Sequence, residues 1–479
     1  MKSLLNLWKT LAEELASWCG VCIDRDFETV AARSNHEGMS FLTITLADFA
    51  KDFHTSLENE AVTPSCFLSF RKRGELPLFL GGFLERVFDR ETGVLLLHPS
   101  TDAIFAIRQL TMLFAKVEME TTPKRTRLAF KRYVEVEQEL AEMDWSGVDF
   151  SDFDRFASIL LGDIFDHVNL GVDRFEVIPN HGPGATADGV VGNDKFHLRS
   201  WNTRMDTVFP YGEYGIPSSR FYQEIEKVQF LDPEAEVPVK VTSVPKTLKT
   251  PRIIAEEPAH VQYVQQGLWR LILEGHTRHP ITRHMVGFDD QDVNRRLACV
   301  SSMDQSLATL DLSDASDRVS NVLVERLSRR YPSAQEAIRA ARSTRASVPG
   351  QGEITLTKFA SMGSALCFPM EAFTFLVLVF VGIQRASAHQ LTYSDVLRLV
   401  GQVRVYGDDI IVPVDYATSV IETLEAFGLR VNRHKSFVNG KFRESCGGDY
   451  YAGVDVTPVR FRQLWPSSPK HAQEIISLV

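Results

Sequence analysis

The sequence predicts an α+β fold on three observations. Residues 1 to about 175 place apolar residues at three- and four-residue spacing, as in Asp102 to Val117, and read as largely helical. From 176 to 255, glycines and prolines cluster in IPNHGPGATADG and FPYGEYGIPSS, and β-branched residues then dominate VPVKVTSVPK. From about 301 onward, short strand-like runs alternate with amphipathic helices.

At 479 residues the chain exceeds one ordinary compact domain, so two or three subdomains sharing a large core are expected. Apolar residues make up 44% and charged residues 24%, which excludes disordered, collagenous and disulfide-scaffold classes. No fixed-period repeat is visible. The net charge of −10 means that a partner made of phosphates would need a local basic patch. The longest near-apolar run, Phe373 to Ile383, is eleven residues, short of the roughly 20 that span a bilayer, so no membrane partner is expected. Glu13 and Glu14 interrupt the N-terminal apolar pattern, unlike a signal peptide, and point to a reducing cytoplasm. The six cysteines make no disulfide framework and read as core residues; Cys19 and Cys22 form one CxxC without the further ligands a zinc site needs.

The first 175 residues also hold a basic stretch, PKRTRLAFKRYVE, with Phe130 and Tyr133 interleaved. It fits either an RNA-tracking surface or a solvated helix face. HGPGATADG could cradle phosphate with backbone N–H groups, yet it lacks the GK[ST] ending of a Walker loop, which disfavours an NTPase. In VPVKVTSVPKTLKTPRIIAEEP, Lys240, Lys246, Lys249 and Arg252 fall close together on a strand-like element with no acid until Glu256.

In LATLDLSDASDRVSNVLVERLSRRYP, Leu307 to Leu312 reads as a strand that ends near Asp311. Ser313 or Asp314 is the expected helix N-cap, and Val319, Val322, Leu323 and Leu327 form the following apolar stripe. VRVYGDDIIVPV has the grammar of a hairpin whose tight turn carries Gly407 and Asp408, with Asp409 beside them. Strands ending in carboxylates, if adjacent, make an all-oxygen pocket for hard divalent cations. Two such cations activate an attacking hydroxyl and stabilise a leaving oxygen in phosphoryl transfer. Asp311 and Asp408 would be primary ligands and Asp409 secondary, while Asp317 could face a nucleotide sugar, whose 2′-OH marks RNA precursors.

LDLSDASD and YGDD resemble the first and third palm motifs of RNA-dependent RNA polymerases, and KFASMGSALCFPMEAFTF resembles the second. RVNRHKSFVNGKFRESCGGDYYAGVDVTPVR is similar to the stretch after the catalytic hairpin in replicases of positive-strand RNA bacteriophages of the levivirus type. The resemblance is strong from about Val237 to Arg460, with traces upstream in LFLGGFLERVFDRETG, AIRQLTMLFAKVE and HGPGATADG.

The resemblance implies a right-hand polymerase with fingers and palm, the palm built on an antiparallel sheet with helices. The expected divisions are 1–230, N-terminal region and fingers; 231–300, fingers with a basic nucleotide-entry strand; 301–330, palm with the first acidic motif; and 331–358, an insertion. Palm resumes over 359–440, and 441–479 forms a primer-support hairpin and the start of the thumb. Only nineteen residues follow Arg460, so the thumb is expected to be short or truncated, as a fragment or a reduced form.

Also implied is that Asp311, Asp408 and Asp409 bind two catalytic Mg²⁺ ions, which Mn²⁺ can replace. Lys246, Lys249 and Arg252 would meet the triphosphate. Ser361, Gly363 and Ser364 would approach the template–nucleotide pair, the glycine because it lacks Cβ. Lys435 is a surface lysine or a general acid for departing pyrophosphate. Implied partners are single-stranded RNA template and product, NTPs, and the host elongation factors Tu and Ts, in the cytoplasm of an infected bacterium. A reverse transcriptase and a catalytically inactive RNA-binding protein are the alternative readings.

Overall fold

The computed structural model describes residues 1–462. They form a mixed helix and sheet structure, 49% helix and 14% strand, in which helices dominate the first 173 residues, apart from the short antiparallel pair Lys72–Arg73 and Leu76–Pro77, and the other strands follow.

Three apolar clusters organise the chain. The largest gathers the helices Ser151–Asp173, Ala259–Arg278, Asn321–Ser328 and Val414–Ala426 around the helix Cys367–Ala386 and a three-stranded sheet. That sheet has the order Arg404–Tyr406, Asp409–Pro413, Leu307–Asp311, antiparallel throughout. Leu307 to Leu310 and Ile410 to Pro413 are buried at every position. Alternate strand residues point to opposite faces, so both faces of this sheet are covered.

Cys367–Ala386 is a single 20-residue helix, longer than the eleven-residue apolar run at its centre suggests. Its length and composition would allow it to cross a membrane, but 89% of its most apolar window is buried inside the protein. It is a core helix, apolar all round because it is packed all round.

A second cluster joins the helices Lys2–Cys19, Leu46–Glu58 and Thr101–Met112 to Phe437, Phe442, Tyr451 and Val456. The last three lie in or beside the hairpin Phe442–Ser445 and Gly448–Tyr451. Arg108, fully buried, fixes that docking: it donates to Val456 O (3.0 Å), pairs with Asp449, meets His54 and stacks over the Phe442 ring.

The smallest cluster sits under a four-stranded sheet in the order Arg252–Glu256, Val239–Val244, Arg345–Val348, Gly352–Thr355. The middle pair is parallel and the outer pairs antiparallel. The helix Pro123–Ala141 packs against it through Phe130 and Tyr133. These two aromatics of the basic stretch are therefore core residues, 7% and 3% exposed, and not stacking platforms for bases.

The expected N-cap at Ser313 or Asp314 is corrected. Asp314 takes a left-handed conformation, φ +53°, and a 3₁₀ turn follows over Ser316–Arg318. The chain stays extended to Ser320 because residues 319–321 pair with 357–359 through the Ser320–Lys358 bridge. Ser320 is the cap, its Oγ accepting from the Val322 N–H at 3.2 Å. Cys66, Cys367 and Cys446 are core residues as expected, whereas Cys22 is exposed and its thiol donates to Asp24; all six are free thiols.

Candidate functional site

Sheet register brings the predicted acids together. Asp409 stands directly opposite Asp311, and Tyr406 pairs with Asp409, leaving Gly407 and Asp408 as a two-residue turn. Gly407 has φ +57°, and a Cβ there would stand 2.6 Å from the ring of Phe368, so the turn needs glycine for conformation and for space. Phe368 belongs to the first turn of the core helix, which seats the hairpin tip. Asp408 is exposed at that tip.

Residues 431–437 run along the other edge of the strand Leu307–Asp311, bridged at Leu312–Val431 and Thr309–Phe437. This segment clasps Asp311. Asn432 donates through its backbone N–H to Asp311 O (2.8 Å) and through Nδ2 to Oδ2 (2.8 Å), and the Asp311 N–H donates to Ser436 Oγ (3.1 Å). Lys435 Nζ lies 3.1 Å from Asp311 Oδ1. Asp409 Oδ1 accepts from Ser445 Oγ at 3.3 Å, from the hairpin that docks on the N-terminal helices.

Acids outnumber bases here, and protonation responds. Burial pushes Asp311 up to about 6, with Asp408 adding repulsion and Lys435 opposing it. Burial and then Asp408 push Asp409 up to about 7. Glu371, on the core helix and 7% exposed, is pushed well above the carboxylate range by burial, then by Asp408 and Asp317. Desolvation opposes the charge on Lys435, but Asp311, Glu444 and Asp408 outweigh it and hold its proton.

These are hard oxygen donors whose mutual repulsion a divalent cation would relieve. Among the described residues, no three His, Cys, Asp or Glu side chains converge into a closed metal cage. Both Asp311 oxygens are also engaged, by Asn432 and Lys435.

The basic loop is only partly directed at the acids. Lys246 is within electrostatic reach: burial, Arg252 and Lys435 lower its proton affinity, while Asp408 and Asp311 raise it. Neither Lys246 nor Arg252 forms an ion pair among the described residues, and both are exposed. Lys249 instead reaches Asp48 at 3.0 Å, and Lys240 reaches Glu256 at 3.3 Å. Arg125 anchors the loop by donating to Leu248 O at 2.7 Å.

In the second motif the reasons differ from those expected. Gly363, φ +133°, is required because a Cβ would overlap the carbonyl oxygen of Ala255; Ala255 N–H donates to Met362 O at 2.8 Å. The close approach is thus to the basic sheet. Ser361 Oγ is hydrogen-bonded to Tyr133 OH (2.7 Å), and Ser364 Oγ accepts from the Leu366 N–H (3.3 Å). Asp317, half-buried, accepts from Lys358 Nζ at 2.9 Å. HGPGATADG has the wrong polarity for a phosphate cradle, since the carbonyls of Gly182 and Gly184 converge on the buried ammonium of Lys195.

Sequence reasoning missed Glu371, Lys358, Asn432, Ser436 and Ser445. Glu371 carried a signal, a lone carboxylate in an apolar helix. Asn432 and Ser436 flank Lys435 closely enough to share its segment. Lys358 carried none, because its partners lie 41 and 221 residues away.

Comparison with known proteins gives these residues a context. Residues 234–469 match the family model described as RNA replicase, beta-chain. The RNA-directed RNA polymerase subunit beta of Qbeta virus (strain MX1) is 38% identical over 230 residues, 48% of this chain and 36% of that protein. The RNA-directed RNA polymerase beta chain of Escherichia phage MS2 is 37% identical over 218 residues, 46% of this chain and 36% of that protein. The matches thus span little more than a third of each relative. A solved structure described as an RdRp complex aligns at a TM-score of 0.39 and 11% identity over 75% of this chain and 34% of the other, too distant to bear on the fold. Residues 234–469, which hold Asp311, Asp317, Asp408, Asp409 and Lys435, are thus similar to the RNA replicase beta chains.

Proposed function

We propose that the chain is an RNA-dependent RNA polymerase that replicates a phage RNA genome by template-directed nucleotidyl transfer from NTPs. The observation that carries the reading is the Asp311–Asp409 register pair, with Asp408 at the adjoining tip and Lys435 on Asp311, inside the family-matched segment. Its partners would be single-stranded RNA and NTPs in the cytoplasm of an infected bacterium. The relatives' names call them beta subunits or chains, which supports a multi-subunit replicase; the resemblance implies elongation factors Tu and Ts as the other subunits.

Asp311, Asp408 and Asp409 would hold the divalent cations, Mg²⁺ or Mn²⁺, which when bound lower the pKa of the attacking hydroxyl and offset charge on the phosphates. The protein's own side chains do the rest. Lys246 and Arg252 would grip the triphosphate, Arg252 through its planar fork. Lys435 is held protonated by the acids around it, the state from which a general acid starts. Asp317 would accept the 2′-OH of the incoming nucleotide.

We assign the acidic sheet and its helices, 301–330 and 359–440, to a palm. The four-stranded sheet supports grouping parts of 231–300 and 331–358 in one fingers body, because the parallel pairing of Val239–Val244 with Arg345–Val348 joins them. The hairpin after residue 441 would support the primer end; the remainder of that division, 463–479, lies outside the described residues.

The test is extension of an RNA primer on an RNA template by the purified chain. The reading expects incorporation of the complementary ribonucleotide alone and its arrest by a chelator. Preferred incorporation of deoxyribonucleotides would favour a reverse transcriptase, and RNA binding without incorporation would favour an inactive scaffold.

A further inference from the structure

Lys358 is fully buried, an expensive place for an ammonium ion. A hydrophobic residue would fill the same volume at less cost, so the charge calls for an explanation beyond packing. Its charge is faced on three sides, by one hydrogen-bonded carboxylate, one ion-paired carboxylate and one aromatic face. Nζ lies 2.9 Å from Asp317 Oδ1, 3.2 Å from Glu137 Oε1 and 3.4 Å from the centre of the Tyr133 ring.

The partners are themselves fixed. Glu137 Oε2 accepts from the backbone N–H groups of Thr357 (2.6 Å) and Lys358 (3.3 Å), so one carboxylate holds both the backbone and the head of this lysine. Tyr133 is held through its hydroxyl on Ser361. Residues 319–321 pair with 357–359, which sets the short distance from the lysine to the 3₁₀ turn that carries Asp317. The outcome is a carboxylate with one oxygen tethered. Among the described residues no hydrogen bond reaches Asp317 Oδ2, and the side chain remains 25% exposed.

We propose that Lys358 is a positioning residue, clamped by Glu137 and the Tyr133 face, that aims Asp317 at the nucleotide sugar and thereby sets ribose over deoxyribose selectivity. The proposal rests on the polymerase reading. It makes the helix Pro123–Ala141, remote in sequence from the acidic motifs, a determinant of substrate choice.

The experiment is RNA-templated extension comparing kcat/KM for an NTP, its 2′-deoxy analogue and its 3′-deoxy analogue. It is run on wild type, Asp317→Asn, Lys358→Met and the double variant, with folding checked by circular dichroism. The expected result is about a tenfold or greater fall in the ratio of ribo to 2′-deoxy in both single variants, the scale of one misaimed hydrogen bond. The double variant should fall no further than Asp317→Asn alone, and the ratio against the 3′-deoxy analogue should hold. A folded Lys358→Met that keeps the wild-type 2′ ratio, or that slows all three substrates equally, overturns the proposal. If Lys358→Met does not fold, Tyr133→Leu, which removes the aromatic face, takes its place: a lowered 2′ ratio supports the proposal and an unchanged one overturns it. Absence of ribonucleotide incorporation by wild type would remove the polymerase reading and this proposal with it; an unchanged ratio would remove this proposal alone.

Discussion

Asp449 and Asp409 are both sequestered aspartates, and their surroundings differ in kind. Asp449 is 0% exposed and bonded to two guanidinium groups, those of Arg108 and Arg460, so its charge is matched inside the protein. Asp409 faces Asp311 across a strand pair, lies beside Asp408, and is bonded by the Ser445 hydroxyl and the Cys446 thiol, neither of which carries positive charge. The first cluster is closed and joins the N-terminal helices to the hairpin. The second is open, with a surplus of negative charge that only something from outside can balance. A matched buried charge reads as architecture, whereas an unmatched and partly exposed one reads as a site awaiting a ligand.

The largest expected effect sits in the open cluster. Asp409→Asn should reduce RNA-templated incorporation by about 10³-fold or more, the range seen when a group stabilising transition-state charge is removed. The same variant should show an unchanged or higher urea midpoint without divalent metal, because asparagine still accepts from Ser445 and one repulsion is gone. A large loss of stability would erase the contrast with Asp449.

Arg108→Ala tests the closed cluster. It strips partners from Asp449, His54 and Val456 O and should cost about 3–5 kcal/mol in urea denaturation, as broken buried pairs do. Next comes Gly363→Ala, where a Cβ meets the Ala255 carbonyl at a φ that L-residues avoid; about 2–4 kcal/mol should be lost. Smallest is a pH effect. Asp26 is buried with one oxygen accepting from the Leu80 N–H, and burial pushes it up to about 6. The folded chain therefore binds this proton more tightly than the unfolded chain does. Its contribution favours folding at about pH 4 and is lost as pH rises through about 6. Asp26→Asn should remove that slope, gaining about 1–3 kcal/mol relative to wild type between pH 4 and pH 7.

Legibility in the sequence followed the range of the interactions. The hairpin Arg404 to Pro413 was readable because its turn chemistry and β-branched flanks are local. The strand ending at Asp311 was readable for the same reason. That Asp409 would fall opposite Asp311 was not, since register is a property of two distant segments. The resemblance implies that Gly363 approaches a template–nucleotide pair, whereas the contact that its missing Cβ allows within the chain, with the Ala255 carbonyl, joins segments more than a hundred residues apart. Phe130 and Tyr133 fitted either an RNA-tracking surface or a solvated helix face, because alternation with cations does not show that a sheet lies beneath the helix. HGPGATADG offered backbone groups whose polarity depends on Lys195, outside the string. The lysine–carboxylate clamp around Asp317 left no local trace.

The most direct test is RNA-templated ribonucleotide incorporation by Asp408→Asn beside wild type, with Mg²⁺ and with RNA binding measured on the same preparations. Asp408 is exposed at the hairpin tip, so the substitution leaves the core intact. If the acidic cluster carries the chemistry, wild type incorporates, the variant incorporates nearly nothing, and both bind RNA equally. Equal incorporation by the two proteins would contradict that role.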